Sequence, residues 1–134
     1  MLLRTFALAA LACLVLASAP AHADTIGKAS FYGFESGSRR ADGKPFRPLQ
    51  LGAAHWTLPL GTRVRVTDLA TGRSIVVPVN DRSPHPRLHR LIDLSLGAAR
   101  ALGIAGRGIA TVRVAVVGCG QAASLRNECL PTRF

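Results

Sequence analysis

The chain has 134 residues, of which 49% are hydrophobic and 18% charged, and its formal net charge at pH 7 is +10. This composition excludes a disordered segment, and the length leaves room for one compact domain. No apolar run reaches the roughly 20 residues that a membrane-spanning helix needs, so we predict no integral membrane segment.

The first 23 residues have the pattern of a secretory signal peptide. Arg4 supplies the positive start, residues 6–17 form a continuous apolar run, and residues 21–23 have the small-x-small pattern of a cleavage site. We therefore predict a signal peptide over residues 1–23 and a periplasmic or secreted mature protein that begins at Asp24. Cys13 lies inside the apolar run rather than at its end, which argues against a lipid anchor there.

Two cysteines, Cys119 and Cys129, remain after the predicted signal peptide. In an oxidising compartment, a bridge between them would close a loop in a tail at residues 119–134 and stabilise the fold by ~3 kcal/mol. The alternative is a pair of free thiols. Neither cysteine has a histidine or another cysteine nearby at metal-ligand spacing, which argues against a zinc site.

The mature sequence has mainly the pattern of β-strands. Residues 63–67 alternate between arginine and valine, which predicts a strand with its valines facing inward. Residues 68–73 form a predicted hairpin connection in which Gly72 supplies a positive φ. Three further strands are predicted at residues 26–34, 74–80 and 110–117, with an exposed loop at residues 37–48.

One helix is predicted after residue 95. Ser95 is a suitable N-cap, Leu96, Ala99 and Leu102 fall on one helical face, and Gly103 ends the pattern. Several short strands with one short helix in about 100 residues favour a small closed barrel, so the fold class is mainly β.

Two aspartates lie at positions where a carboxylate is suited to chemistry. Asp81 follows a predicted strand, where it either caps the turn through its own backbone or serves a functional site. Asp93 interrupts an apolar run just before the helix, where it either bonds to the helix N-terminus or faces a cleft. The sequence leaves both pairs of alternatives open.

Histidines and an aromatic residue complete the candidates. His55 lies in an apolar segment and is either a satisfied core histidine or a functional one. His85 and His89 are four residues apart, but the flanking prolines forbid a regular helix and no third ligand is evident, so we predict no metal. Tyr32 either stacks on a sugar ring or ends a core strand.

Taken together, five blocks in chain order resemble the RlpA family. They are residues 27–33 (GKASFYG), 40–43 (RADG), 53–67 (AAHWTLPLGTRVRVT), 80–84 (NDRSP) and 91–103 (LIDLSLGAARALG). Five ordered blocks are far more specific than any single motif among them.

The resemblance implies a six-stranded double-psi β-barrel with one or two short helices over residues 24–118. Characterised family members are lytic transglycosylases that cut peptide-poor peptidoglycan between N-acetylmuramic acid and N-acetylglucosamine and leave 1,6-anhydro-muramyl ends. Asp81 matches the family's catalytic aspartate, His55 matches a residue important for activity, and Asp93 matches an aspartate that expansin-like relatives need. We accordingly assign catalysis to Asp81 and His55, and substrate binding to Tyr32, Arg82 and Asp93, without a cofactor.

One departure from the family pattern concerns acids. Family enzymes carry a glutamate eleven residues before the histidine, whereas this chain has Lys44 there and a second cation at Arg47. Asp42 and Glu35 are the acids in or near the same loop. Ordinary glycoside hydrolysis uses two carboxylates, but a lytic transglycosylase can use one that donates a proton and then takes one back.

A second departure concerns the flanking regions. Many relatives carry a lipid anchor and a SPOR domain that binds bare glycan, while only about 17 residues follow Val117 here. The arginine excess either attracts anionic wall polymers or lipid phosphates, or it is an ordinary solvated strand surface.

Two function classes therefore stand. The first is a peptidoglycan lytic transglycosylase, and the alternative is a non-catalytic, expansin-like barrel that binds peptidoglycan. In both cases we expect a monomer whose partner is a peptidoglycan glycan strand. Predicted export and the lack of a motif that combines stacking with basic residues argue against nucleic acid.

Overall fold

A computed structural model describes residues 24–119, so the predicted signal peptide and Cys129 lie outside the described residues. The chain forms a helix α1 (Leu96–Leu102), a 3-10 turn at Pro86–Leu88, and six strands: β1 (Thr25–Tyr32), β2 (Ala53–Ala54), β3 (Arg63–Asp68), β4 (Ser74–Asp81), β5 (Ile92–Ser95) and β6 (Ala110–Gly118).

The six strands close into a barrel in the order β1-β5-β2-β4-β3-β6. Antiparallel pairing of β1 with β6 completes the closure, and two pairs, β1 with β5 and β2 with β4, are parallel. This arrangement confirms the predicted double-psi β-barrel. Closure leaves no unpaired sheet edge among these strands.

Alternation along the strands builds the barrel interior. Val64 and Val66 are fully buried, while Arg63 and Arg65, which alternate with them, are exposed, as the sequence pattern predicted. The same period of two buries further valines on the neighbouring strands β4 and β6, namely Val77, Val79, Val112 and Val114. The core is therefore a layered set of β-branched side chains that holds the strand ends in place.

The β3–β4 hairpin has a buried acid that the sequence pattern did not single out. Gly72 has a φ of 75°, as predicted for the turn. Asp68 is fully buried and accepts hydrogen bonds from the Ala70 N–H and the Thr71 hydroxyl, and it also pairs with the guanidinium of Arg107. Burial acts to raise the pKa of Asp68, but these donors outweigh burial and lower it.

Helix α1 follows its predicted caps. The Ser95 hydroxyl accepts from the Ala98 N–H at 3.2 Å, and Gly103 ends the helix with a φ of 86°. Ala98, Ala99 and Leu102 bury the inner face of the helix against the barrel. No helix within residues 24–119 is long and apolar enough to span a membrane.

A connecting segment, residues 48–52, crosses the start of α1 and leads into β2. The Gly97 N–H donates to Pro48 O at 2.9 Å, and the Ser95 hydroxyl donates to Gln50 O at 2.7 Å. A Cβ at Gly97 would lie 2.1 Å from the carbonyl oxygen of Leu49. Helix and segment therefore fit only with glycine at this position.

One short strand was not predicted, and a second is shorter than the strand-like segment 53–56 in the sequence. The segment that holds Asp93 is a strand, β5, and β2 has only two residues. Both are buried on all sides, so neither shows the alternation that marks a half-exposed strand.

Candidate functional site

Three central strands bring the predicted polar residues together. Ala54 at the end of β2 is in register with Asp81 on β4 and with Asp93 on β5. His55 directly follows β2, and its backbone N–H donates to the Asp81 carbonyl oxygen at 3.2 Å. The barrel thus places His55, Asp81 and Asp93 around one point on its rim.

Asp81 faces a pocket of about 170 Å³ lined by Tyr32, Ser36, Ala54, Asp81 and Ser83. Its Oδ1 accepts from the backbone N–H of Ala41 at 2.9 Å and from that of Arg82 at 2.8 Å. Within residues 24–119 both hydrogen bonds to this carboxylate go to Oδ1. The turn-capping and site interpretations are therefore compatible, because one oxygen serves the backbone while Oδ2 accepts no hydrogen bond from the described residues.

Tyr32 enters the same pocket from the end of β1. Its ring lies 5.0 Å from that of Phe46, and its hydroxyl is buried without a hydrogen-bond partner among the described residues. Burial raises the pKa of Tyr32, and the negative charges of Asp81 and Asp93 raise it further. The phenol therefore remains protonated and can donate a hydrogen bond to a ligand.

Asp93 is engaged with the protein on both carboxylate oxygens. It is 4% exposed and accepts from the Ser30 and Ser83 hydroxyls at 2.6 Å each. The Arg90 guanidinium donates to it through Nε at 2.9 Å and Nη2 at 3.1 Å. The helix is capped by Ser95, so Asp93 does not serve as its cap. Asp93 therefore holds Ser83, which lines the pocket, in place. Its contact with substrate stays a prediction.

His55 is 4% exposed and neutral at pH 7. Its Nδ1 accepts from the backbone N–H groups of Thr57 at 3.2 Å and Leu58 at 3.1 Å. Burial lowers the pKa of His55 to about 4, and the positive charge of Arg82 contributes. Because Nδ1 accepts these bonds, the ring proton is on Nε2.

Arg82 holds the turn that follows His55. Its guanidinium Nη1 donates to the carbonyl oxygen of His55 at 3.1 Å and also to that of Leu58. We predicted Arg82 as a substrate-binding residue, but the structure directs this nitrogen to the backbone. The assignment to substrate stays a prediction, and the structure adds a link between Arg82 and the His55 turn.

A second cavity, which we call the Trp56 groove, lies beside His55. It measures about 340 Å³ and is lined by His55, Trp56, Thr57, Pro84, Pro86, Arg90 and Leu91. Trp56 is 45% exposed, and its ring lies 5.0 Å from that of His85 in an edge-on arrangement. The sequence analysis missed this groove because Trp56 and residues 84–91 are far apart in the chain.

The loop that carries Lys44 folds back beside Asp81. Arg39 and Pro45 form an isolated antiparallel bridge, and the Ala41 N–H between them donates to Asp81. Asp42 pairs with Arg40 at 2.6 Å and accepts from the Lys44 N–H. Burial acts to raise the pKa of Asp42, but the bonds from Arg40 and Lys44 outweigh it and lower the pKa.

The structure also places the two remaining acidic and histidine candidates. Glu35 accepts from the Gly33 N–H at 3.0 Å. His85 accepts at Nδ1 from the Arg87 N–H at 3.2 Å. Among the described residues no group of three histidine, cysteine or acidic side chains is placed to hold a metal. Cys119, the last described residue, is disulfide-bonded, and its predicted pairing with Cys129 lies outside the described residues.

Fold and site together define a double-psi barrel with a carboxylate-lined pocket on its rim. Residues 24–114 match the model of a protein family described as "Lytic transglycolase". The chain belongs to this family, as the sequence blocks indicated.

The names of similar curated proteins agree with this family assignment. A "Probable endolytic peptidoglycan transglycosylase RlpA" of Nostoc sp. is 54% identical over 95 residues, which are 69% of this chain and 25% of that protein. An "Endolytic peptidoglycan transglycosylase RlpA" of Pseudomonas aeruginosa is 47% identical over 90 residues, 66% of this chain and 26% of that protein. The chain thus spans about a quarter of the length of these relatives.

Solved structures show the same barrel in proteins of different kinds. A Streptomyces papain inhibitor aligns with a TM-score of 0.60 and 28% identity, covering 75% of this chain and 100% of that chain. An expansin of Clavibacter michiganensis aligns with a TM-score of 0.55 and 25% identity, covering 72% of this chain and 51% of that one.

Proposed function

We propose that this protein is an extracytoplasmic lytic transglycosylase that cuts peptide-poor peptidoglycan strands between N-acetylmuramic acid and N-acetylglucosamine. The observation that carries the proposal is Asp81 in its pocket, one oxygen held by two backbone N–H groups. Family membership and the names of the relatives support the substrate class.

One carboxyl group suffices for the proposed reaction. Asp81 donates its proton to the glycosidic oxygen as the bond from that oxygen to C1 of the muramyl sugar breaks. The C6 hydroxyl of the same sugar then attacks C1, and Asp81, now a carboxylate, takes the hydroxyl proton. The new C1–O6 bond gives the 1,6-anhydro end, and Asp81 returns to its starting state without water as a reactant.

His55 and Tyr32 support this step as hydrogen-bond donors rather than as bases. The lowered pKa of His55 keeps the imidazole neutral, and its Nδ1 is occupied by two backbone N–H groups. Tyr32 supplies a protonated phenol beside Asp81. We assign both residues to orienting the sugar and polarising its oxygens.

The test is a digest of denuded glycan strands with mature protein, read by mass spectrometry. We expect products with 1,6-anhydro-muramyl ends from the wild type, and a loss of about 10²-fold or more in rate for Asp81→Asn. Asp24→Asn is the matched control, because Asp24 lies just before β1 and within the described residues its carboxylate has a 3.9 Å contact to Arg113. Equal product from Asp81→Asn and Asp24→Asn would overturn the assignment.

The alternative function is an expansin-like barrel that binds glycan without cutting it. The observation in its favour is Lys44, an exposed cation in the loop that contacts Asp81, at the position of the family's glutamate. In the same digest this alternative gives binding to the strands without anhydro products from any variant.

A further inference from the structure

We infer that the Trp56 groove is a separate subsite for one N-acetylated sugar of the glycan strand, next to the Asp81 pocket. The inference rests on the proposed function for the polymer class. It goes beyond that function by assigning a second place on the barrel where the strand is held.

Position is the first argument. The groove and the pocket are linked through Asp93, because Ser83 of the pocket lining and Arg90 of the groove lining both donate to its carboxylate. His55 lines the groove, while its backbone N–H is bonded to Asp81 O. We therefore expect a polymer that reaches Asp81 to continue toward the groove.

Chemistry is the second argument. The Trp56 side chain is 45% exposed, although burial of a large aromatic ring is favourable. Two prolines and Leu91 extend the apolar surface around it. The C–H face of a pyranose and the methyl of an acetamido group match an apolar surface of this kind. A planar indole with few rotatable bonds presents that surface at low entropic cost.

A polar anchor completes the subsite. Arg90 is fixed on Asp93 through Nε and Nη2, and within residues 24–119 its Nη1 donates no hydrogen bond. This nitrogen lies on a residue that lines the groove and is held rigid by a buried carboxylate. An amide carbonyl oxygen is the acceptor that the Nη1 donor suits, which favours an N-acetylated sugar over a plain hexose.

The single tryptophan of the chain makes the subsite directly observable. The probes are N-acetylglucosamine hexamer and cellohexaose, two uncharged oligomers of equal length that differ in the acetamido group. They are titrated into the mature Asp81→Asn protein, which removes turnover. We expect a saturable change in Trp56 fluorescence with the N-acetylated hexamer and at least about a tenfold weaker response with cellohexaose.

Calorimetry on variants locates the binding. Trp56→Ala in the Asp81→Asn background should weaken binding of the N-acetylated hexamer about tenfold. Arg90→Lys in the same background should reduce the difference in affinity between the two oligomers. Ile109→Ala is the matched control, because Ile109 is 48% exposed and lies outside the groove lining. Unchanged folding is checked for every variant by circular dichroism.

The outcomes separate the subsite from the catalysis. In one outcome the wild type forms anhydro products, but the Trp56 fluorescence does not change on titration, or Trp56→Ala binds the hexamer as tightly as Ile109→Ala does. This outcome overturns the subsite and leaves the proposed function intact. A Trp56 response that prefers the N-acetylated hexamer, without products from the wild type, supports the subsite and overturns the catalysis.

Discussion

The backbone N–H of Ala41 donates to Oδ1 of Asp81 at 2.9 Å, although the two residues are 40 positions apart in the chain. This bond joins the candidate acid to the loop that carries Lys44, the position at which the family resemblance implies a glutamate. The chemical character of that loop therefore bears directly on what Asp81 can do.

Replacing Lys44 with glutamate should increase turnover. A carboxylate at this position restores a second negative charge near the oxocarbenium-like transition state. We expect Lys44→Glu to raise the rate of anhydro-product formation at least about tenfold, short of the roughly hundredfold of a fully positioned group. The measurement is the initial rate on denuded strands, with Lys44→Gln as the control. Equal rates for the two variants would show that loss of the cation alone matters.

Arg82 offers a test of positioning against substrate binding. Its guanidinium holds the carbonyl oxygens of His55 and Leu58, so Arg82→Ala should lower kcat more than it raises KM. Removing the guanidinium charge should also raise the pKa of His55, which NMR titration of the imidazole reports. Arg87→Ala, also an exposed arginine, is the control. A rise in KM with kcat and the His55 pKa unchanged would restore Arg82 to the role predicted from sequence.

Stability should fall as pH drops through the range of His55. In the unfolded chain this histidine titrates near 6.5, while burial lowers its pKa in the folded protein to about 4. The unfolded state therefore binds more protons between these values, and the free energy of unfolding rises with pH across this window. We expect a loss on the order of 2 kcal/mol from pH 6.5 to pH 4, measured by urea unfolding.

His55→Asn isolates this contribution. Asparagine offers an oxygen close to the position of Nδ1 but does not titrate, so the loss of stability between pH 6.5 and 4 should shrink in this variant. His85→Asn, which removes an exposed histidine, should keep it. An unchanged pH profile in His55→Asn would mean that other groups cause the loss.

Gly97→Ala should destabilise the fold and weaken the site together. The new Cβ would overlap the Leu49 carbonyl oxygen and push away residues 48–52, which lead into β2 and His55. We expect a loss of about 2–3 kcal/mol by thermal or urea unfolding. Gly106→Ala is the matched control, because a Cβ there meets nothing within 4 Å. Similar stability of the two variants would contradict the close approach.

The half-exposed parts of the barrel were predictable because their signals are local. The alternation in β3 follows from a period of two, and the ends of α1 follow from Ser95 and Gly103. The strand β5 was not predictable in this way, since it is buried on every side and its period is hidden. Asp93 was noticed for its isolation among apolar residues, but its three partners come from β1, the turn before β5 and residue 83.

Single residues gave candidates for the site, and the ordered motifs decided between their alternative roles. Asp81, His55 and Tyr32 were candidates from their positions, and the blocks favoured functional roles for Asp81 and His55. The bond from Ala41 and the Trp56 groove depend on how distant loops fold over the rim. Residue spacing carries no information on such contacts. The register of β2, β4 and β5 determines which residues lie side by side at the site. That register is fixed only when the barrel closes.

The direction of β1 makes the start of this strand a suitable attachment point. The strand enters at Thr25 and ends at Tyr32 in the pocket, so its eight residues separate the two by roughly 20 Å of extended chain. A biotin tag or a bead linker placed ahead of Thr25 would therefore lie at the end of β1 opposite the candidate site. The protein can be immobilised by that end and offered intact sacculi with the candidate site turned outward.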